Sequence, residues 1–281
     1  MSTTAEKQAV ERARRRFDAI SDRARQRIYD KVLRHYQRNP NSPWSGAPLK
    51  DLERTIRQFY SDLGLEYNEV FRETLPPAMQ LFYDRAEKEL RKAGLRRAIL
   101  GRPDSGRIKY FLESSYERIA MKTHNMRFQH IVDLRKLSRD VFNEISVTGA
   151  TRREVSKRLL ERALDIKGFR FVDSTGTNWP LKSYFNTLAR TELMNAGRAT
   201  YDDTCSSEGY DVMLLTVSGD PCPKCSRFEG RLFSLTGATP GLPTKDDLIA
   251  AGVFHPNCTH TYSAVPEYIM RTEYDSGGRP K

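Results

Sequence analysis

The sequence predicts an α+β protein, with a mainly α-helical N-terminal region followed by a small α+β C-terminal module. Three observations predict it. Apolar residues recur at three- and four-residue steps through residues 1–165, the period of a helix with one buried face. Alternation with a period of two, the mark of a half-buried strand, enters only after Lys167. Three of the four cysteines fall in two short segments near the end, 220-DPCPKCSRFEG-230 and 254-FHPNCTHTY-262.

Residues 4–38 read as one helix. Val10, Ala13, Phe17, Ile20, Ala24, Ile28 and Val32 form its apolar stripe. Arginines crowd the remaining faces, and Asp18, Asp22 and Asp30 offset them only in part. Arginine is a good helix former, so a solvated basic face is the plain reading. Arg12, Arg14, Arg15, Arg16, Arg23 and Arg27 are the candidates for contact with nucleic acid or a partner.

The composition of NPNSPWSGAP makes 39–48 a loop. Helices are expected at 48–63 and 66–93, with Pro76 and Pro77 kinking or splitting the second. A turn at 101–106 precedes a long helix over 106–146, whose buried side carries Ile131, Leu134, Leu137, Val141 and Ile145. Thr151 and Glu154 have the spacing of a capping box for a helix over 151–166.

Residues 169–179 alternate and turn, giving a short hairpin. A helix over 180–204 follows, then strands at 210–218 and 230–235 that flank the first cysteine pair. A helix over 245–254 delivers His255. The divisions expected are 1–168 (helical and basic), 169–266 (the α+β module) and a flexible tail at 267–281.

The chain has 281 residues, enough for two domains, and a net charge of +11. Such a balance suits nucleic acid, an acidic protein surface or an anionic membrane. No apolar run reaches the length of a membrane span, and MSTTAEKQAVERARRRF lacks the apolar core of a secretory signal. A chain kept in the cytoplasm, or leaving it by another route, is expected. Cysteines there point to metal or redox chemistry before a disulfide framework.

Cys222 and Cys225 sit two residues apart on a turn stiffened by Pro221 and Pro223. Cys258 lies three residues after His255 and two before His260. Two such half-sites can close a tetrahedral zinc shell of three sulfurs and one nitrogen, with either histidine as the fourth ligand. A redox pair would need a thioredoxin-like βαβ context. A nucleobase deaminase would need an upstream H-x-E, and none of His35, His124 or His130 has a Glu two residues on. Three thiolates suggest a closed, structural zinc site rather than a hydrolytic one. Cys205, without a partner motif, reads as a small buried filler. Arg190 and Glu192 read as a structural polar cluster, since no second acid–base group lies near them in sequence.

With these residues in hand, the stretch 169–266 resembles the phage minor capsid protein 2 group and the related Mu F-type head morphogenesis proteins. The resemblance rests, in order, on FVDSTGTNWPLKSYFNTLARTE (171–192), on Asn195, Ala196 and Arg198, on SGDPCPKC, on Gly230 before a strand, and on HPNCTH. Mu F-type members end in H-P-x-C-R-C, with a cysteine at the place of His260. The resemblance therefore implies His260 as the fourth ligand and His255 as an outer or alternative one. Thr259 departs from the pattern, which has Arg there. The resemblance implies a minor head component of a tailed phage or prophage, assembled in the host cytoplasm. It further implies association with the portal protein and major capsid protein, contact with packaged double-stranded DNA, and a part in DNA packaging or ejection. Some relatives carry a fused ADP-ribosyltransferase; none is expected after this knot. Against this non-enzymatic reading stand two others, a nuclease or toxin-like enzyme acting on nucleic acid and a non-specific DNA-binding protein. Metal coordination separates the first from a head protein, and co-purification with heads separates the second.

Overall fold

The computed structural model describes residues 4–40, 43, 46–93, 103–148, 150–160 except 152, 156 and 159, 170–172, 177–217 and 222–281. Three long helices open the chain: α1 (Thr4–Arg38), α2 (Gly46–Lys92) and α3 (Ser105–Thr148). All seven residues of the predicted α1 stripe are buried, which is why this Arg-rich segment is one unbroken helix. A hairpin of β1 (Arg170–Val172) and β2 (Asn178–Pro180) leads into α4 (Leu181–Ser207). Then come β3 (Val212–Leu215), the one-turn α5 (Pro223–Ser226), β4 (Leu232–Ser234), α6 (Lys245–Ala250), β5 (Tyr262–Ala264) and α7 (Glu267–Glu273). The fold is α+β, mostly helical, with a small antiparallel sheet near the C-terminus. Among the described residues, no helix is long and apolar enough to cross a membrane.

The helices expected at 48–63 and 66–93 are instead one helix, α2. Gly64 does not break it. A Cβ there would lie 3.4 Å from the Thr123 hydroxyl, so the glycine marks a close approach rather than a turn. Pro76 and Pro77 lie within the helix. A proline has no N–H to give the carbonyl four residues back, here those of Arg72 and Glu73, both exposed residues. Buried Leu75, Ala78 and Met79 carry the packing past the prolines.

The chain divides into two compact units. One comprises Arg15–Val70 and Ser114–Asn186. Its core stacks Phe17 on Tyr67 and Tyr67 on Phe185, with ring centroids 5.1 and 3.8 Å apart. The buried Tyr67 hydroxyl is matched by Ser21 Oγ at 2.7 Å. Of the predicted α3 positions, Ile131 and Leu134 are buried and Leu137 is half-buried; the side chains of Val141 and Ile145 lie outside the described residues. The capping box forms, with Thr151 N donating to Glu154 at 3.0 Å and Glu154 N to Thr151 Oγ1 at 3.3 Å. The stretch 161–169, predicted to end one helix and begin the hairpin, lies outside the described residues.

The other unit comprises Met1–Arg14, Phe71–Glu113 and Thr187–Lys281. Its sheet has the order β4-β3-β5, all antiparallel. Arg85 of α2 is buried within this unit. The guanidinium donates to Glu6 and to the Tyr262 carbonyl, both at 2.8 Å, and lies 4.1 Å from the centre of the Tyr201 ring. Asp211, just before β3, accepts from Ser234 Oγ, Thr236 N, Thr236 Oγ1 and Thr239 Oγ1, fixing the loop after β4. Residues 267–281, expected as a flexible tail, carry α7 and a turn in which the Gly278 carbonyl accepts from Leu232 N at 2.8 Å.

Candidate metal centre

The first half-site is built by α5 and the residue that caps it. Cys222 is the N-cap of α5, with Pro223 at the first helical position, where a missing N–H costs nothing. Cys225 N and Ser226 N both donate to the Cys222 carbonyl at 3.0 Å, which brings the two thiols to one side of the turn. Pro221 lies outside the described residues. The pair opens a helix, but only a single turn of four residues. The strands on either side run antiparallel, so the βαβ context of a redox pair is not formed here.

The second half-site is the loop between α6 and β5. Two of its residues adopt positive φ without being glycine, Phe254 at 59° and Asn257 at 67°. For a bulky aromatic this conformation is costly and must be held from outside. The Arg198 guanidinium lies 4.8 Å from the Phe254 ring centre, and the Tyr262 ring meets Phe254 edge-on at 5.6 Å. Asn257 donates through its backbone to Thr191 Oγ1 and through its side chain to Thr187 Oγ1, at 3.3 and 3.0 Å. Cys258 N closes the turn onto the His255 carbonyl at 2.9 Å.

Together the half-sites place five donors in two overlapping triads, Cys222–Cys225–His255 and Cys225–Cys258–His260. Within each triad all ligand atoms lie within 4.8 Å of one another, and Cys225 belongs to both. The inner triad is entirely buried; Cys222 and His255 of the outer one are half-buried. His255 Nε2 is 3.1 Å from Cys222 Sγ, and His260 Nδ1 is 3.4 Å from Cys258 Sγ. A tetrahedral zinc, with bonds of about 2.3 Å to sulfur and about 2.0 Å to nitrogen, separates such atoms by roughly 3.5 Å. The donor set therefore fits a metal ion in both type and spacing.

The electrostatics suit a cation. Burial by itself would push the Cys258 thiol up, but its hydrogen bond with His260 and the nearby Arg198 charge bring it down to about 6. The Cys225 backbone N–H, aided by His255, draws the Cys222 thiol down to about 7. Cys225 goes the other way, to about 12, because it is buried between two other thiols. A bound cation is the partner that ionises a thiol so placed. The hydrogen bond with Cys258 raises the pKa of His260, whose Nε2 lies 2.6 Å from Glu229 Oε1.

Arg198 of α4 was visible in sequence only as a residue of the family pattern. It is buried, and burial lowers its pKa. Its Nη2 donates to the carbonyls of Cys258 and His260 at 2.9 and 2.8 Å, and its Nε to that of His260 at 3.1 Å. Arg190 and Glu192 lie on the same helix, Arg190 half-buried and Glu192 buried, but Arg198 is the arginine set against the donor loop. Glu229, within the first cysteine segment, was missed. A glutamate in a turn carries no signal until its partner is seen. The filler reading of Cys205 fits its complete burial.

The candidate basic face of α1 is partly engaged within the molecule. Arg14 pairs with Glu11 at 2.6 Å, and Arg27 pairs with Glu66. Arg12, Arg15, Arg16 and Arg23 are exposed.

No curated protein and no solved structure matches the chain. A family model described as phage minor capsid protein 2 matches residues 19–276, a span that takes in both half-sites, α4 with Arg198, and the three long helices from the middle of α1 onward. With most of its length and all five metal-donor residues inside that match, the chain belongs to the phage minor capsid protein 2 family.

Proposed function

We propose that the protein is a structural, non-enzymatic component of a tailed-phage or prophage head, associated with the portal and acting in head morphogenesis and in DNA packaging or delivery. The family membership carries this reading. In it, the portal protein and the major capsid protein are the partners, and assembly takes place in the host cytoplasm. The division of labour falls near residue 168. The helical region ahead faces partners and packaged double-stranded DNA through Arg12, Arg14, Arg15, Arg16, Arg23 and Arg27, and the module behind is held by metal. Phosphate contact of this kind is sequence-independent and weakens steeply with salt.

The metal is a structural zinc. Its ligands are Cys222, Cys225, Cys258 and His260, with His255 outside the shell, and Arg190 and Glu192 are structural. Cys225, the donor common to both triads, supports this reading most directly. A sheet of strands three or four residues long has little core of its own and gains stability from a metal staple. Three thiolates more than neutralise the ion, and with the histidine they fill its four positions and leave none for a reactive water.

Three measurements test the proposal. Protein purified without chelator should hold one zinc per chain and give a tetrahedral thiolate spectrum on cobalt substitution. Cys225→Ser should lose the ion and melt at a lower temperature while most helical signal remains; unchanged melting would remove the zinc claim. Purified heads should contain the chain at low copy number, and its absence from them would remove the head-protein claim.

A further inference from the structure

The two histidines are not equivalent, and the difference lies in what holds the nitrogen turned away from the thiols. His255 Nδ1 rests 2.7 Å from the carbonyl of Pro256, its own neighbour in the chain, in a half-buried loop. His260 Nε2 rests 2.6 Å from the carboxylate of Glu229, which comes from a different segment, and both side chains are nearly closed to solvent, at 5% and 9% exposure.

A buried carboxylate takes the Nε2–H, fixes the imidazole in the tautomer whose Nδ1 carries the lone pair, and makes that nitrogen the stronger donor. Nδ1 is the atom that faces Cys258 Sγ. The ring cannot turn away without giving up that 2.6 Å bond in a place nearly closed to water, which is costly. The backbone at this end is also gripped, since Arg198 holds the carbonyls of Cys258 and His260 on either side of Thr259. The Pro256 carbonyl, neutral and on an adjacent residue, gives His255 a weaker hold.

We infer that Glu229 is the positioning residue of the metal centre: its carboxylate orients His260 through Nε2–H and so selects His260 over His255 as the fourth ligand. The inference rests on the zinc reading above and deepens it. Gly230, at φ 71°, places the glutamate. Its N–H bonds to the Leu215 carbonyl at 3.0 Å, which ties the turn carrying Glu229 back to β3.

The test uses full-length protein and zinc itself. Affinity is read by competition with a chromophoric chelator, and the His260 tautomer by nitrogen-15 NMR of the zinc-loaded chain. Glu229→Ala should weaken zinc binding about 10- to 100-fold, the usual cost of losing such a partner. Glu229→Gln keeps an acceptor without the charge and should recover part of that loss. His255→Ala should cost less than either His260→Ala or Glu229→Ala. Wild-type His260 should show a protonated Nε2 and a metal-bound Nδ1. Circular dichroism of each zinc-free variant separates loss of a ligand from loss of the fold. Tight wild-type binding with an unaffected Glu229→Ala, or a greater loss from His255→Ala, overturns the inference while leaving the zinc site intact. A wild-type chain that holds no zinc overturns the zinc reading itself, and the inference with it.

Discussion

Replacing Arg198 with methionine keeps the unbranched stem and removes every donor. In the native protein the guanidinium supplies three hydrogen bonds to two carbonyls, those of Cys258 and His260. Both residues are 4% exposed, so water has little access to those oxygens once the donors are gone. Each unsatisfied carbonyl costs about 1–3 kcal/mol, roughly 2–6 kcal/mol for the pair. Loss of the cation over Phe254 adds about 1 kcal/mol. Against this, the variant no longer buries a charge, and the lowered pKa of Arg198 shows that its burial is only partly compensated. A net loss of about 3 kcal/mol follows. Urea unfolding at neutral pH, followed by circular dichroism, measures it. Arg198→Lys, with a compact donor in place of a fork, should lose about half as much. A methionine variant within about 0.5 kcal/mol of the native protein would refute the reasoning, because surface-like substitutions fall in that range.

Gly197, one residue earlier, gives a steric prediction. A Cβ there would sit 2.4 Å from two carbons of the Phe82 ring, and Phe82 is fully packed. Gly197→Ala should destabilise by at least about 1 kcal/mol despite the gain of about 1 kcal/mol in helix propensity, and the penalty should shrink in a Phe82→Leu background; a more stable alanine variant in thermal melts would refute it. Asp211 gives a pH prediction. Burial works to raise its pKa, but the hydrogen bonds from Ser234, Thr236 and Thr239 win and hold it down at about 2. Its contribution is therefore complete above the unfolded value near 4 and fades as pH falls toward 2. Asp211→Asn should cost about 1–2 kcal/mol at pH 6 and progressively less between pH 4 and pH 2; a gap that widens on acidification would contradict the assignment.

The helices were legible where one face alone decides them. The α1 stripe needed no knowledge of its partner, because a step of three or four residues fixes which side is buried. The α2 boundary was misread because Gly64 and the Pro76–Pro77 pair are strong local breakers, overruled by the packing of the buried residues around them. The grouping of these cysteines and histidines was legible because thiols and imidazoles at such spacings have few other uses. Their supports were not. Arg198 and Glu229 meet partners 60 and 31 residues away, pairings fixed only by folding, and neither residue type at a helix or turn position announces a role. The ordered tail was hidden for a similar reason, since a Gly-rich turn gives no hint that one of its carbonyls will complete an edge of the sheet.

Arg85 carries a consequence for the order of synthesis. It joins Glu6 to the Tyr262 carbonyl, and its compact unit draws on the first 14 residues, a middle stretch and the last 95. A ribosome releases these pieces from first to last, so Arg85, 79 residues after Glu6, must wait for 177 more before the Tyr262 carbonyl is there to accept from it. Such long-range closure is slow and leaves apolar surface exposed in the interval. Nascent chains stalled before β5 should therefore engage chaperones and yield to protease, whereas completed chains should resist both.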